Sequence, residues 1–195
     1  MIRRLILIFE FILISVVATA QLPVMYDVTG GGAFCQGGSG VSISLSGSEG
    51  SVTYELWNGG SATGITIIGT GSALNFTGVN TAGDYTVVGT NGNGTTTMSG
   101  NAVITVNALP TATITGVLIS CVTTTLTAVT DAVTPAYVWY KDNILVSGQT
   151  ASTLVVSASG AYKVKLTNEN GCEQTSLPSA VTINPLPTTS AIYHQ

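Results

Sequence analysis

Along most of the chain, apolar residues recur at every second position. Val41, Ile43 and Leu45 alternate with Ser42, Ser44 and Ser46, the pattern of a half-buried strand with one wet face. Val52, Tyr54 and Leu56 repeat it, as do Tyr85 with Val87 and Val164 with Leu166. Between these runs lie Asn58-Gly59-Gly60, Gly69-Thr70-Gly71, Asn91-Gly92-Asn93-Gly94 and Asn168-Glu169-Asn170-Gly171. Asn and Gly tolerate the positive φ that tight hairpins demand. No stretch after the first 20 residues has helical periodicity. The chain is predicted to be all-β.

The pattern also repeats on a larger scale, which fixes the architecture. Gly83-Asp84-Tyr85-Thr86-Val87 matches Gly160-Ala161-Tyr162-Lys163-Val164 at an offset of 77 residues. Val106-Asn107-Ala108-Leu109-Pro110 matches Ile183-Asn184-Pro185-Leu186-Pro187 at the same offset. Earlier landmarks keep their order at larger offsets: Tyr54-x-Leu56-Trp57 with Tyr137-x-Trp139-Tyr140 (83), and Cys35 with Cys121 (86). The second copy is therefore about nine residues shorter in its early loops. Roughly seven short strands per copy point to a β-sandwich of immunoglobulin-like type. Tyr85 and Tyr162 follow Gly at a late strand start, where such sandwiches tie a corner through a tyrosine hydroxyl. Trp139 falls where they bury a core tryptophan, and Leu56 takes that place in the first copy. The expected domains are 21–107 and 108–184, with 185–195 a linker and the start of a third repeat.

The first residues break this pattern. Arg3 and Arg4 precede an apolar run from Leu5 to Val17, and Ala18-Thr19-Ala20 has the small-x-small form that signal peptidase accepts. Residues 1–20 are read as a cleaved signal peptide. The run is too short for the roughly 20 residues of a bilayer span, and Glu10 interrupts it. No later segment is long and apolar enough to cross a membrane, so the expected location is secreted or cell-surface.

Composition then narrows the chemistry. Charged residues are 7% of the chain, with 5 Lys+Arg against 9 Asp+Glu. A chain this poor in cations cannot build the basic face that neutralises phosphates, so nucleic acid is not an expected partner. Phe34-Cys35-Gln36-Gly37-Gly38 ahead of a Val-x-Ile-x-Leu strand, the two Gly-x-Tyr-x-Val runs, Asn168-Glu169-Asn170-Gly171-Cys172 and the closing Asn184-Pro185-Leu186-Pro187 together carry a family resemblance. Over roughly residues 26–188 the chain resembles the tandem immunoglobulin-like repeats of secreted, surface-associated proteins from Bacteroidota, gliding or adhesin proteins that often end in a C-terminal sorting domain. The resemblance implies spacers and adhesive stalks whose partners are neighbouring repeats or an extracellular glycan or protein.

Three cysteines in an exported chain suggest one disulfide and one unpaired thiol. Position 95, which is 77 residues before Cys172, is Thr95. The first copy therefore has only Cys35, and the second has both Cys121 and Cys172. The simplest pairing is Cys121–Cys172 with Cys35 free, whose loop of about 50 residues would stabilise by roughly 4 kcal/mol. One objection is that these positions lie at opposite ends of an ordinary immunoglobulin sandwich, and a Cα separation beyond about 7 Å forbids a bridge. An inter-module Cys35–Cys172 bond is the alternative, and both stay open.

Catalytic chemistry is sparse. His194 is the only histidine and sits next to the C-terminus, which excludes a Ser-His-Asp triad in a settled core. Asp27, Glu49, Glu55, Asp84, Asp131, Asp142, Glu169 and Glu173 are scattered singly rather than paired. Neither an enzyme nor a cofactor or metal site is expected, although a weak calcium site from loop carbonyls with Asp131 or Asp142 stays open. Asn75 and Asn93 stand in glycosylation sequons. Trp57 and Tyr140 occupy equivalent positions out of phase with the inward residues, so both are candidates for surface stacking on sugar rings. The expected function is a non-catalytic structural or adhesive stalk. The alternative is a carbohydrate-binding accessory module of a larger secreted hydrolase.

Overall fold

The alternating segments pair into two similar β-sandwiches. The structure of the protein, a computed structural model, describes residues 21–186, so the signal-peptide reading and most of the 185–195 tail lie outside the described residues. Among the described residues every regular element is a strand. In the first sandwich, β1 (Val28–Gly30), β3 (Val41–Leu45) and β6 (Leu74–Val79) form a three-stranded sheet, with β3 in the centre. Facing it is a six-stranded sheet. It runs in the order β2 (Gly32–Cys35), β9 (Ala102–Asn107), β7 (Gly83–Asn91), β4 (Thr53–Asn58) and β5 (Ser61–Ile68), with β8 (Gly94–Thr97) also on β7.

The second sandwich repeats this plan. Its small sheet is β10 (Thr113–Gly116), β12 (Thr124–Val129) and β15 (Thr153–Val156). Its large sheet is β11 (Ile119–Ser120), β18 (Ser179–Ile183), β16 (Gly160–Thr167), β13 (Ala136–Lys141) and β14 (Ile144–Leu145), with β17 (Glu173–Thr175) on β16. There are nine segments per sandwich where about seven strands are expected. The excess arises because the first and last strands are each broken in two. The last strand breaks at Met98 and Ser176, each of which still donates its backbone N–H to β7 or β16 before the chain resumes in β9 or β18.

The first strand breaks because the chain crosses from the small sheet to the large one. Gly30 and Gly116 mark that crossing, 86 residues apart like Cys35 and Cys121. Their φ values are +96° and +142°, and a Cβ on either would stand 2.5 Å from a backbone oxygen, of Ser42 and Thr125 respectively. Gly116→Ala is expected to cost about 1–3 kcal/mol, the range for a residue held in strained backbone, read as a lower urea midpoint for the second sandwich. After the crossing, β2 runs parallel to β9 and β11 runs parallel to β18.

Each sandwich has its own core. Ile43, Leu45, Tyr54, Leu56 and Val87 are fully enclosed in the first, and Leu126, Trp139, Val164 and Leu166 in the second. Leu56 lies opposite Val87, and Trp139 opposite Val164, in the same register of the large sheets. The Trp139 indole satisfies its one donor by bonding the Ala151 carbonyl at 2.9 Å. Tyr85 and Tyr162 are buried and tie their corners: their hydroxyls donate to the Thr81 carbonyl at 3.0 Å and the Ala158 carbonyl at 2.8 Å. Tyr162→Phe removes one hydrogen bond at little change in volume, so a loss of about 1 kcal/mol is expected by chemical denaturation.

Candidate functional site

The position where the sandwiches meet is built by a hairpin and a strand end. β2 ends at Cys35, held against Asn107 at the end of β9, and the Gln36 N–H donates to the Asn107 carbonyl at 2.8 Å. The turn between β16 and β17 closes on Asn168. Its side-chain oxygen accepts the N–H groups of Asn170 at 3.1 Å and Cys172 at 2.9 Å, an Asx-turn geometry. Its amide nitrogen donates to the carbonyl of Ala108 at 3.0 Å, which anchors the linker on the hairpin. Thr111, just beyond, donates its N–H and hydroxyl to Asp131 at 2.7 Å and 3.0 Å. Those two bonds hold the Asp131 carboxyl below its usual pKa, the backbone one most strongly. A cavity of 250 Å³ remains here, lined by Leu109, Pro110, Asp131, Asn168 and Glu169 among others.

The disulfide closes this junction and corrects the simplest pairing. Cys35 is bonded to Cys172 with a Cα separation of 5.5 Å, and Cys121 is the free, exposed thiol. Cys121–Cys172 fails because Cys121 follows β11 at the outgoing end of the second sandwich, whereas Cys172 sits in the hairpin at its incoming end. The outgoing end of the first sandwich presents Cys35 to that same hairpin. Cys172 is wholly buried by the contact. A disulfide is the bond of an oxidising compartment, consistent with an extracellular location.

The first sandwich handles its own incoming strand in the same way. Asn91 and Asn93, in its β7–β8 hairpin, donate to the carbonyl of Gln21 at 2.9 Å and 3.1 Å. Gln21 therefore plays the part of Ala108, and Leu22-Pro23 repeats Leu109-Pro110. This motif was legible in the sequence and was missed, because residues 21–25 carry no alternation to attract notice.

Trp57 and Tyr140 lie on the outer faces of the large sheets, both half-buried, and they differ in surroundings. The Trp57 indole N–H is enclosed without a hydrogen-bond partner. Tyr140 instead opens on a depression of 190 Å³ with Asn143, Lys163, Lys165 and Thr175. Lys141, Lys163 and Lys165 are the whole cationic complement beyond Arg4, and all three belong to this sheet. Lys165 pairs with Glu173 at 2.9 Å, and that bond raises its pKa. Lys141 pairs with Asp142 at 2.9 Å. The Asp142 carboxyl is held low, first by the Ala161 N–H and then by Lys141. Among the described residues no three His, Cys, Asp or Glu side chains converge as a metal site.

These features define a tandem pair of immunoglobulin-like β-sandwiches joined by an inter-module disulfide. No family model and no curated protein matches the chain. Among solved structures it is similar to the I-band fragment I67–I69 of titin, at 15% identity over 85% of this chain and 67% of that one, with a TM-score of 0.49. It is also similar to extracellular domains 3–5 of Drosophila OTK, at 17% identity over 82% of this chain and 62% of that one, with a TM-score of 0.39. The fibronectin(III)-like modules of Clostridium thermocellum CbhA match at 14% identity over 87% of this chain and all of that one, with a TM-score of 0.37. At such identities the likeness concerns the fold.

Proposed function

We propose that the protein is a non-catalytic stalk component of an exported bacterial surface assembly, of the kind found in Bacteroidota, whose sandwiches are spacers in series. The observation that carries this reading is the junction. One covalent bond and the Asn168 anchor on Ala108 fix successive modules to each other, which serves a spacer and has no use in acid–base catalysis. Small-angle scattering on the full chain tests it. A single globule of 175 residues would have a radius of gyration of roughly 16 Å, so a clearly larger value is expected, and one near 16 Å would overturn the stalk.

A second reading, a carbohydrate-binding accessory module, is favoured by the Tyr140 depression, which an aromatic residue lines together with Lys163 and Lys165. Its expected result is binding to an acidic glycan on an array, abolished by Tyr140→Ala and unaffected by Trp57→Phe. An array without any signal removes it.

A further inference from the structure

We propose that the Cys121 end of the second sandwich is a covalent docking face for a further module of this same kind, one that carries a cysteine in its late hairpin. Cys35 and Cys121 are the same position in two copies. Each follows its crossover glycine by five residues, and each lies at the end of the short strand that runs parallel to the last strand of its module. In the first module that position is bonded to the hairpin cysteine of the next module. In the second it is free and exposed.

The surroundings match as well. At the first junction, Asn107, Ala108 and Leu109 form one wall and Asp131, Asn168 and Glu169 of the next module form the other. At the second, Pro185 and Leu186, the counterparts of Ala108 and Leu109, line an open depression of 510 Å³ together with Ile183, Cys121, Val122 and residues 157–159. Around it Val117, Ile119, Val122 and Leu186 are each more than half exposed, an apolar patch of the sort that marks an interface. A second copy of this chain is a poor occupant. Its Cys172 is already bonded, and the hairpin of its first module has Thr95 at the matching place.

The bond forms by thiol–disulfide exchange with a low-molecular-weight disulfide. The Cys121 thiolate attacks that disulfide and expels one small thiolate. The hairpin thiolate then attacks the mixed disulfide at the Cys121 sulfur and expels the second. Two protein thiols are oxidised, and one small disulfide is reduced to two thiols. The inference rests on the serial-scaffold reading but can fail separately, since scattering reads shape and the following test reads one bond.

Thr95→Cys in the full chain gives the first module a hairpin thiol, so Cys121 of one copy meets a suitable hairpin on another. In a glutathione redox buffer a ladder of head-to-tail oligomers is expected on non-reducing gels, with position 95 linked to Cys121 by mass spectrometry. It should form at least about tenfold faster than crosslinks of a Ser61→Cys control at the other end of the same module, because docking raises the effective thiol concentration. Adding Cys121→Ser should abolish the ladder. The β7–β8 hairpin is one residue tighter than its counterpart, since Thr90 pairs with Thr95 where Thr167 pairs with Glu173. A second variant therefore replaces residues 91–95 with the six residues 168–173, which adds the missing residue. If neither variant crosslinks faster than the Ser61→Cys control, or if only Cys121–Cys121 dimers form, the proposal is wrong.

Discussion

Trp139→Ala is expected to remove about 3–5 kcal/mol from the second sandwich, the usual cost of emptying a large core site. The side chain is fully enclosed, lies opposite Val164 on β16 and donates to Ala151, so truncation leaves both a void and an unpaired carbonyl. Small domains hold only about 5–15 kcal/mol in total, so much of the module's stability goes with this one ring. The chain has two tryptophans, one in each sandwich. In the variant, Trp57 is the one tryptophan left, and its emission on selective excitation reports the first sandwich while circular dichroism reports both. The expected result is an early loss of ellipticity followed by a later, unshifted Trp57 transition. A single late transition at the wild-type midpoint would show that Trp139 contributes little.

Cutting the Cys35–Cys172 bond acts on the unfolded chain. The bond closes a loop with a sequence separation of 137, for which the chain-entropy relation gives roughly 5 kcal/mol. Cys35→Ser is expected to lower the combined unfolding free energy by up to about that amount. Reductant added to the unmutated protein should reproduce the variant. Cys121→Ser should change nothing, because that thiol is already free. Guanidinium titrations of the three proteins, followed by both tryptophans, distinguish these outcomes. A loss of stability in Cys121→Ser would restore the Cys121–Cys172 pairing.

The alternation in the sequence was a sound guide to the inward faces. Ile43, Leu45, Tyr54, Leu56, Val164 and Leu166 are all fully buried, because a strand's period of two leaves no choice once one face is apolar. The crossing of the first strand was hidden, since Thr29-Gly30-Gly31-Gly32 carries no pattern and only the backbone geometry shows what the glycines are for. The cysteine pairing failed for a different reason. The simplest pairing matched cysteines within a module, whereas the ends that approach each other belong to successive modules, as in the Cys35–Cys172 alternative. Trp57 lies out of phase with the buried Tyr54 and Leu56 and is half-buried. On β5, Ala62 stands opposite it, and the register shifts between Glu55 and Trp57. No periodicity encodes such a shift.

The parallel strands beside the cysteines also decide how tension would pass through the protein. β2 comes early in its module and β9 closes it, so pulling on the two ends slides these strands lengthwise past each other. Their bonds then resist together instead of opening one after another. The first sandwich has four residue pairs in this clasp and the second has two. The second clasp is therefore the shorter of the two. The disulfide joins Cys35, at the end of the first clasp, to the hairpin of the second module. A pull on the two ends of the chain therefore crosses that bond and cannot draw out residues 36–171 while it holds.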